Sequence, residues 1–203
     1  VALLAPVDDR SFARLGRITD AVRRRNPELT FRTIRMETFP EELEKVKVVY
    51  NGAWENNWGF VPMTSEELDA MAKKLKDLIY PPIVWFVEEG DRPVAFMLGM
   101  PDFNQVLIRM GGRLFPFGWL TLLRELRRTD WLNINGAGLI PEYRGSGGTA
   151  ILYSEIFKSV VESGQFRHAE VVQIGVENEA MQREMENFGV DFYKMHRTYI
   201  REL

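Results

Sequence analysis

The chain contains no cysteine, and this absence excludes several kinds of chemistry at once. Its 203 residues include only two histidines, His168 and His196. Without cysteine the chain can form no disulfide, no cysteine nucleophile and no thiolate metal site. Two histidines are also too few for a histidine-rich metal centre. We therefore expect neither a resident metal nor thiol-based catalysis.

Long hydrophobic runs are absent as well. No apolar stretch approaches the length of a membrane-spanning helix, and no signal-peptide pattern is visible, so we expect a cytoplasmic protein without a membrane span. The chain is 45% hydrophobic with a formal net charge of −3, which suits one domain of enzyme size. It begins with valine rather than methionine, which is consistent with a piece of a longer protein.

A glycine-rich turn in residues 139–149 is the most informative stretch that is present. An extended segment, Trp131–Ala137, precedes it, and helical spacing over Ala150–Ser163 follows it. Glycines at 145, 147 and 148 leave backbone N–H groups unshielded at the positive end of a helix dipole, and Arg144 adds a fork that fits phosphate oxygens. The turn predicts a phosphate site; the alternative is an ordinary strand-to-helix turn with glycines for tight packing.

Three common glycine motifs do not fit this turn. It lacks the Gly-Lys-Ser/Thr ending of a P-loop, the dinucleotide fingerprint fails after Gly136-Ala-Gly138, and there is no G-x-S-x-G elbow. What remains resembles motif A of the GNAT acyltransferases, carried by Leu139, Pro141, Arg144, Gly147 and Thr149. Thr149 replaces the small residue that usually ends that motif.

A second stretch resembles motif B of the same family. A strand-like run, Val171–Val176, leads through Glu177 and Asn178 into a helical segment with Met181, Met185 and Phe188 on one face, closed by Gly189-Val190. The family has an asparagine at the start of this helix and a Gly-Phe at its end. Two such motifs in the family's order favour the resemblance more than either alone.

The resemblance implies an α/β (α+β) fold with a mixed, mostly antiparallel sheet and helices on both faces. Two parallel central strands would splay into a V that holds the cofactor. We expect this domain to span residues 29–203, with residues 1–28 forming a basic amphipathic helix or linker from a missing upstream domain. Six arginines in residues 1–26 also allow a nucleic-acid arm, but the chain is slightly acidic and no aromatics interleave with them, so we expect no nucleic-acid partner.

The cofactor that the resemblance implies is acetyl-CoA or another acyl-CoA. Backbone groups near Leu139 and Ile140 would pair with its pantetheine arm, and an N–H near Leu139 would face the thioester oxygen. The pyrophosphate would lie against the turn, and Asn178 would contact the pantetheine. The residues implied for the turn are Arg144, Gly145, Ser146, Gly147, Gly148 and Thr149.

The catalytic residues are less clear, because the sequence departs from the family. Where many members have a tyrosine as general acid, this chain has Met185, and the strand before the turn offers Asn133 and Asn135 instead of a carboxylate. Asn135 can position an acceptor or a water, although an amide is not a base. Glu177 and Tyr193 are the nearest alternative acid–base candidates.

An aromatic and amide-rich loop in residues 51–60 is the candidate acceptor site. Its side chains suit a small molecule held by stacking and hydrogen bonds. The alternative is a loop pinned to the core by its tryptophans. The resemblance favours a substrate-binding role, because this segment shapes the acceptor pocket in the family. The residues that we assign to it are Trp54, Asn57, Trp58 and Phe60.

Taken together, the sequence predicts an acyl-CoA-dependent N-acyltransferase that acts on a small-molecule amine by direct transfer. The alternative is a weak or inactive domain of the same fold with a CoA-binding or structural role. Residues 105–130 form a long aromatic connection, interpreted as a wall for an acyl chain, as core packing or as a dimer surface. Core packing is the most usual role of such aromatics, and a homodimer is allowed.

Overall fold

The computed structural model describes residues 2–6, 9–55, 59–76, 79–113, 115–145, 147–171, 174–176, 178–187, 189–197 and 199–201. Within these ranges, one seven-stranded sheet carries helices on both faces. Its strands are β1 (Ala2–Pro6), β2 (Leu29–Thr33), β3 (Val84–Glu89), β4 (Arg92–Pro101), β5 (Trp131–Leu139), β6 (His168–Val171) and β7 (Asp191–Lys194). Its helices are α1 (Asp9–Arg25), α2 (Phe39–Trp54), α3 (Ser65–Leu75), α4 (Phe103–Arg109), α5 (Gly118–Leu126), α6 (Gly148–Ser163) and α7 (Glu179–Asn187).

The strands lie in the order β2-β3-β4-β5-β6-β1-β7. Every neighbouring pair is antiparallel except β5 and β6, which are parallel. The expected fold class, a mixed and mostly antiparallel sheet with one parallel central pair, is therefore confirmed.

Helices α2 and α6 cover opposite faces of the sheet. Phe96 and Met97 are successive residues of β4, so their side chains point to opposite faces. Phe96 packs edge-on against Trp54 of α2, with ring centroids 6.0 Å apart. Met97 pairs with Trp85, whose indole N–H lies 3.3 Å from the hydroxyl oxygen of Ser159 in α6. We call these the α2 face and the α6 face.

The first 25 residues are built onto this sheet. Strand β1 lies between β6 and β7, and α1 packs against α6. Arg23 pairs with Glu155 of α6 at 2.6 Å, and its guanidinium stands 4.8 Å above the ring of Phe31. One arginine of the basic helix α1 therefore makes its contacts within the domain itself. The division of the chain at residue 28 stays a prediction, although its first part supplies a strand of the sheet.

Two sequence patterns, Thr38-Phe-Pro-Glu41 and Thr64-Ser-Glu-Glu67, each predict a capping box, and one of the two forms. Thr64 and Glu67 form the reciprocal hydrogen bonds of a capping box at the start of α3. Thr38 makes no side-chain cap bond at the start of α2, so that expected box is wrong. Thr38 closes a short 3₁₀ turn, Met36–Thr38, and has ψ 37°, whereas a capping residue takes an extended conformation.

Two expected strands end elsewhere in the structure. The strand expected at Val171–Val176 is instead β6, which starts at His168 and ends at Val171, and the described residues 174–176 are not extended strand. The sequence of residues 191–201 predicts a terminal strand or a pair of strands; β7 forms there and ends at Lys194. Its partner is β1, from the other end of the chain.

The connection between β4 and β5 is not the core that we expected. It folds into α4 and α5, which pack on each other, but most of its large apolar side chains face outward. Phe115 and Phe117, for example, are 79% and 72% exposed.

None of the helices in the described residues is both long enough and apolar enough to cross a membrane. The described residues also contain no group of three or more histidine, aspartate or glutamate residues arranged to hold a metal ion.

Candidate active site

The parallel strands β5 and β6 diverge after four residue pairs. They pair from Trp131 opposite His168 to Ile134 opposite Val171, and β5 then continues beside β4 alone. The register with β4 shifts where the strands part, and Gly136 has φ 123° at that shift. Such a bulge bends the strand. Among the described residues, none extends β6 beyond Val171, so no described strand pairs with residues 135–139 of β5 on the side away from β4, and we call that side the gap.

The direction of the backbone groups along this gap follows from one hydrogen bond. Ile140 donates its N–H to the carbonyl of Val94 at 3.0 Å. Alternate residues of an antiparallel strand bond to the same neighbour, so Leu139, which pairs with Ala95, directs its N–H and C=O away from β4 and into the gap. Leu139 therefore has the direction that the sequence prediction requires.

Ile140 does not have that direction. Besides its N–H bond to Val94, its carbonyl accepts the N–H of Tyr143 at 3.1 Å, and its side chain is buried. The Ile140 N–H is therefore engaged by β4, whereas its carbonyl can accept a second hydrogen bond, so the expected pairing of its backbone with a pantetheine arm stays a prediction.

At the end of the gap, the chain enters the glycine-rich turn and then α6. Gly145 and Gly147 have φ of 81° and 86°, a conformation that side chains with a Cβ rarely adopt. Helix α6 starts at Gly148, and the first turn of any helix directs backbone N–H groups outward at its positive end. Gly148 is buried and Thr149 half-buried, while Ser146 lies outside the described residues. The turn thus has the geometry of an anion site.

The turn is held from outside by the hairpin of β3 and β4. The Tyr143 hydroxyl donates to Glu89 at 2.5 Å, and this hydrogen bond raises the pKa of Tyr143. Arg92 bonds the carboxylate of Glu142 at 3.2 Å. A surface cleft of about 330 Å³ lies alongside, lined by Val48, Gly52, Glu55, Arg92, Pro93, Ile140, Pro141 and Glu142.

Arg144 stands exposed on this turn and has one contact with α2. Its Nη2 donates to the carbonyl of Ala53 at 2.7 Å, near the end of that helix. A guanidinium carries five N–H donors, so this bond fixes the side chain while leaving others for a ligand. The contact ties the turn to α2, which the sequence did not indicate.

The start of α7 uses Asn178 as a helix cap. Its Oδ1 accepts the N–H of Met181 at 3.1 Å, and its carbonyl accepts the N–H of Gln182. Glu177, the neighbouring catalytic candidate, lies outside the described residues. Met185, which stands where the family has its tyrosine, is fully buried, so it is a core residue of α7.

A polar platform lies on the α2 face beside the gap, and we define it as Trp131, Asn133, His168 and Glu170. Asn133 pairs with Met100, which shares the face of Phe96, and Glu170 lies opposite Asn133 in the register. The rings of Trp131 and His168 stack with centroids 4.6 Å apart. Strands β5 and β6 therefore place a carboxylate, an amide and an imidazole on one face.

Two sequence candidates lie near this platform. Asn135 is exposed at the bulge, two residues after Asn133. Tyr193 of β7 is half-exposed, with its ring 6.5 Å from that of Trp131. Both stay catalytic candidates, and the side chains of the polar platform are the groups near them.

Sequence reasoning missed the carboxylates around this platform. Glu170 is nearly buried and pairs with Lys194 at 3.2 Å. Asp102 accepts hydrogen bonds from the N–H and side chain of Asn104 and, at 3.3 Å, from Asn133. Asn133 Oδ1 is buried, and no described residue donates to it. Glu170 was missed because β6 was expected three residues later; nothing local in the sequence marked Asp102.

The candidate acceptor loop is only partly described. Trp54 and Phe60 both pack against Tyr50, with ring centroids 4.7 and 5.6 Å apart, and Trp54 also contacts Phe96. Asn51 fixes the other end of the loop, because its side chain forms hydrogen bonds with both the C=O and the N–H of Met63. Asn57 and Trp58 lie outside the described residues. The described aromatics thus anchor the loop at the α2 face.

With this geometry in place, the chain can be compared with known structures. A GCN5-related N-acetyltransferase from Sphaerobacter thermophilus matches with a TM-score of 0.54 and 18% identity, covering 80% of this chain and 41% of that one. An N-acetyltransferase from Staphylococcus aureus Mu50 gives 0.55 and 17%, covering 79% and 82%. An aminoglycoside acetyltransferase solved with a CoA bisubstrate analogue gives 0.53 and 12%, covering 86% and 99%. The chain has the GNAT fold.

Two curated proteins are similar in sequence over most of this chain. Protein YghO of Escherichia coli is 30% identical over 194 residues, which are 93% of this chain and 49% of YghO. The bacterial ceramide synthase of Caulobacter vibrioides is 29% identical over 180 residues, 86% of this chain and 47% of that protein. The chain thus spans about half the length of either relative. No family model matches it.

Proposed function

We propose that this protein is an acyl-CoA-dependent N-acyltransferase. The observation that carries the proposal is the open edge of β5, which directs the backbone of Leu139 into a gap that ends at a glycine-rich turn and a helix start. An extended arm can pair with such an edge while its phosphates lie at the turn. Neighbours of the same fold that bind CoA support this choice of ligand.

An acyl-CoA supplies a thioester whose carbonyl can be attacked by an amine. The nitrogen forms a bond to the carbonyl carbon, the C–S bond breaks, the CoA thiolate leaves and the amine gives up a proton. We propose that the Leu139 N–H, which points away from β4, stabilises negative charge on the thioester oxygen. Because the chain has no cysteine, we propose direct transfer without an acyl-enzyme.

The acceptor that we propose is a small-molecule primary amine bound over the polar platform. Asn133 Oδ1 is buried and takes no hydrogen bond from a described residue, so an amine N–H is a suitable donor to it. The similarity to a bacterial ceramide synthase favours a long-chain amino alcohol, since a ceramide is an amide of such an amine. We place the reaction in the cytoplasm, where CoA thioesters are formed.

A CoA-binding or structural domain without turnover is the second candidate. One observation favours it: Met185 is fully buried where the family has a catalytic tyrosine. Such a domain would bind CoA thioesters but transfer no acyl group to any amine. Ligand binding and turnover must therefore be measured separately.

Binding can be tested with thermal unfolding in the presence of acetyl-CoA and a long-chain acyl-CoA. A ligand at a hundred times its Kd should add about 2.7 kcal/mol to the stability of the native protein. Arg144→Ala should lose about 1–3 kcal/mol of that binding energy, because a charge-assisted hydrogen bond to phosphate is removed. Arg167→Ala is the matched control, since this exposed arginine lies at the opposite end of the sheet, before β6. Equal ligand-induced shifts in both variants would contradict the phosphate assignment.

Turnover can be tested at Glu170, which we propose accepts the proton of the acceptor amine. Glu170→Gln keeps the shape of the side chain but removes the base, so kcat should fall roughly 10²–10⁴-fold. Lys194→Met breaks the same ion pair from the other side but keeps the base, so its kcat should stay near that of the original protein. If both variants only lower the melting temperature and leave kcat unchanged, Glu170 is structural.

A further inference from the structure

Helices α4 and α5 and the turn between them present a large apolar surface to solvent. We call it the α4–α5 surface. Its most exposed members, Ile108 and Phe115, keep 79% of their surface accessible, and Phe117 keeps 72%. Exposed apolar patches of this kind mark interaction sites. The surface consists of Leu107, Ile108, Phe115, Phe117, Trp119, Leu120 and Leu123.

The same surface is strongly basic in an acidic chain. Residues 103–128 contain five arginines and one glutamate, a formal charge of +4, whereas the whole chain carries −3. The single glutamate, Glu125, is paired with Arg109. The other four arginines, all exposed and without an ion pair among the described residues, are Arg113, Arg124, Arg127 and Arg128.

Helix α5 places these two kinds of side chain on one side. Trp119 and Leu123 are four residues apart, so they form one row along the helix, and Leu120 and Arg124 form the adjacent row with the same spacing. Arg127 and Arg128 follow directly after the helix ends at Leu126. Both rows are exposed, with apolar residues in the first turns and arginines towards the end of the helix.

We propose that the α4–α5 surface docks on an anionic lipid bilayer. Aromatic and aliphatic side chains can enter the boundary between headgroups and acyl chains, where tryptophan in particular is favoured. The long arginine side chains can lie over this boundary with their guanidinium groups at anionic headgroups. The combination of exposed aromatics and unpaired arginines fits a lipid surface in both its apolar and its charged layer.

A second copy of the chain fits this surface less well. A symmetric dimer would bring the same patch of both copies together, and so would place its arginines against the same arginines. Like charges brought together at an interface oppose association, and the only carboxylate within residues 103–128 is already paired. An anionic bilayer supplies the opposite charge instead.

The docking site has a clear place in the fold. Helix α4 follows the end of β4 at Pro101, and α5 leads into the start of β5 at Trp131. The glycine-rich turn follows the other end of β5. A docked bilayer would therefore lie at the end of the sheet that is remote from this turn. The proposal does not depend on the proposed acyl transfer, because it concerns only attachment to lipid.

Vesicle flotation tests this proposal. The protein should float with vesicles of phosphatidylcholine and phosphatidylglycerol, float far less with phosphatidylcholine alone, and be released by salt. Phe115→Ser with Phe117→Ser, and separately Arg127→Glu with Arg128→Glu, should each weaken partition at least about tenfold. Unchanged melting temperatures should show that these exposed substitutions leave the fold intact.

Matched controls make the same chemical changes elsewhere. Tyr199→Ser with Ile200→Ser removes two equally exposed apolar side chains, and Arg24→Glu with Arg25→Glu reverses two exposed charges of α1. Both control pairs should float like the original protein. The proposal fails if the original protein does not float with anionic vesicles, or if the control pairs lose as much as the surface variants. It also fails if the protein is a dimer without lipid and only the α4–α5 variants are monomeric, since a second copy then occupies the surface.

Discussion

Replacing Arg32 with alanine should lower the free energy of unfolding by about 3–5 kcal/mol, because it leaves buried carboxylates without their partner. Arg32 bonds Glu42 at 2.7 Å and Glu88 at 2.6 Å, and both carboxylates are almost inaccessible to solvent. Lys45 also reaches Glu88 at 2.6 Å, but no ion pair links it to Glu42 among the described residues, so Glu42 depends on Arg32.

Chemical denaturation of the two proteins would measure this difference. Arg35→Ala is the matched control, since the Arg35 side chain is exposed and should change stability by no more than about 0.5 kcal/mol. If Arg32→Ala is as stable as Arg35→Ala, the cluster does not stabilise the fold.

The effect should also depend on pH. Burial acts to raise the pKa of Glu88, but hydrogen bonds from Arg32 and Lys45 outweigh it and lower this pKa below its ordinary value of 4.5. A lowered native pKa contributes stability above the unfolded value, and this contribution is lost as the pH falls through the native value. The stability gap between the original protein and Arg32→Ala should therefore be full at neutral pH and shrink below about pH 4.5.

Gly147→Val should both destabilise the protein and remove the proposed acyl-CoA binding. A Cβ at this position would lie 2.7 and 2.9 Å from the methyl carbons of Val22 in α1, and φ is 86°. Overpacking and left-handed strain together cost roughly 2–5 kcal/mol. The turn can relieve the clash only by moving away from α1, which displaces the N–H groups proposed to hold phosphate.

Gly164 provides the control for this prediction. It caps the other end of α6 with φ 62°, and a Cβ there would meet no atom within 4 Å. Gly164→Val should therefore cost only the strain of the backbone, about 1–2 kcal/mol, and keep the melting shift with acyl-CoA. Loss of ligand binding in both variants would mean that general destabilisation, and not the turn, explains the result.

The elements that could be predicted from the sequence are those with local signals. The run after the turn has helical spacing and a glycine in place to end it, and α6 ends before Gly164 as expected. Two apolar runs, residues 83–87 and 93–100, flank Glu88–Arg92 and predict a hairpin, which β3 and β4 form. The turn's glycines at 145 and 147 have the positive φ that explains their presence.

The elements that could not be predicted depend on distant partners. Strand β6 contains a histidine and a glutamate, because its α2 face forms the polar platform, so its sequence looks less like a strand than residues 171–176. The outward apolar residues of α5, which are Trp119, Leu120 and Leu123, have the same spacing as a buried stripe, and only the structure shows that nothing in the described chain covers them. Residues 2–6 carry no local mark of a strand that pairs with residues 168–171.

The position of β1 has a consequence for the order in which the protein can fold. During synthesis β1 is made before the two strands that flank it, β6 and β7, so it must wait for residues 168–194 before it can pair. Contacts this distant in sequence form slowly. After β6 and β7 have been made and before β1 pairs with them, β6 has a bare edge and β7 has no neighbouring strand. Bare strand edges invite pairing with other chains. The incompletely folded protein that a chaperone would bind is therefore a sheet that lacks its penultimate strand, β1.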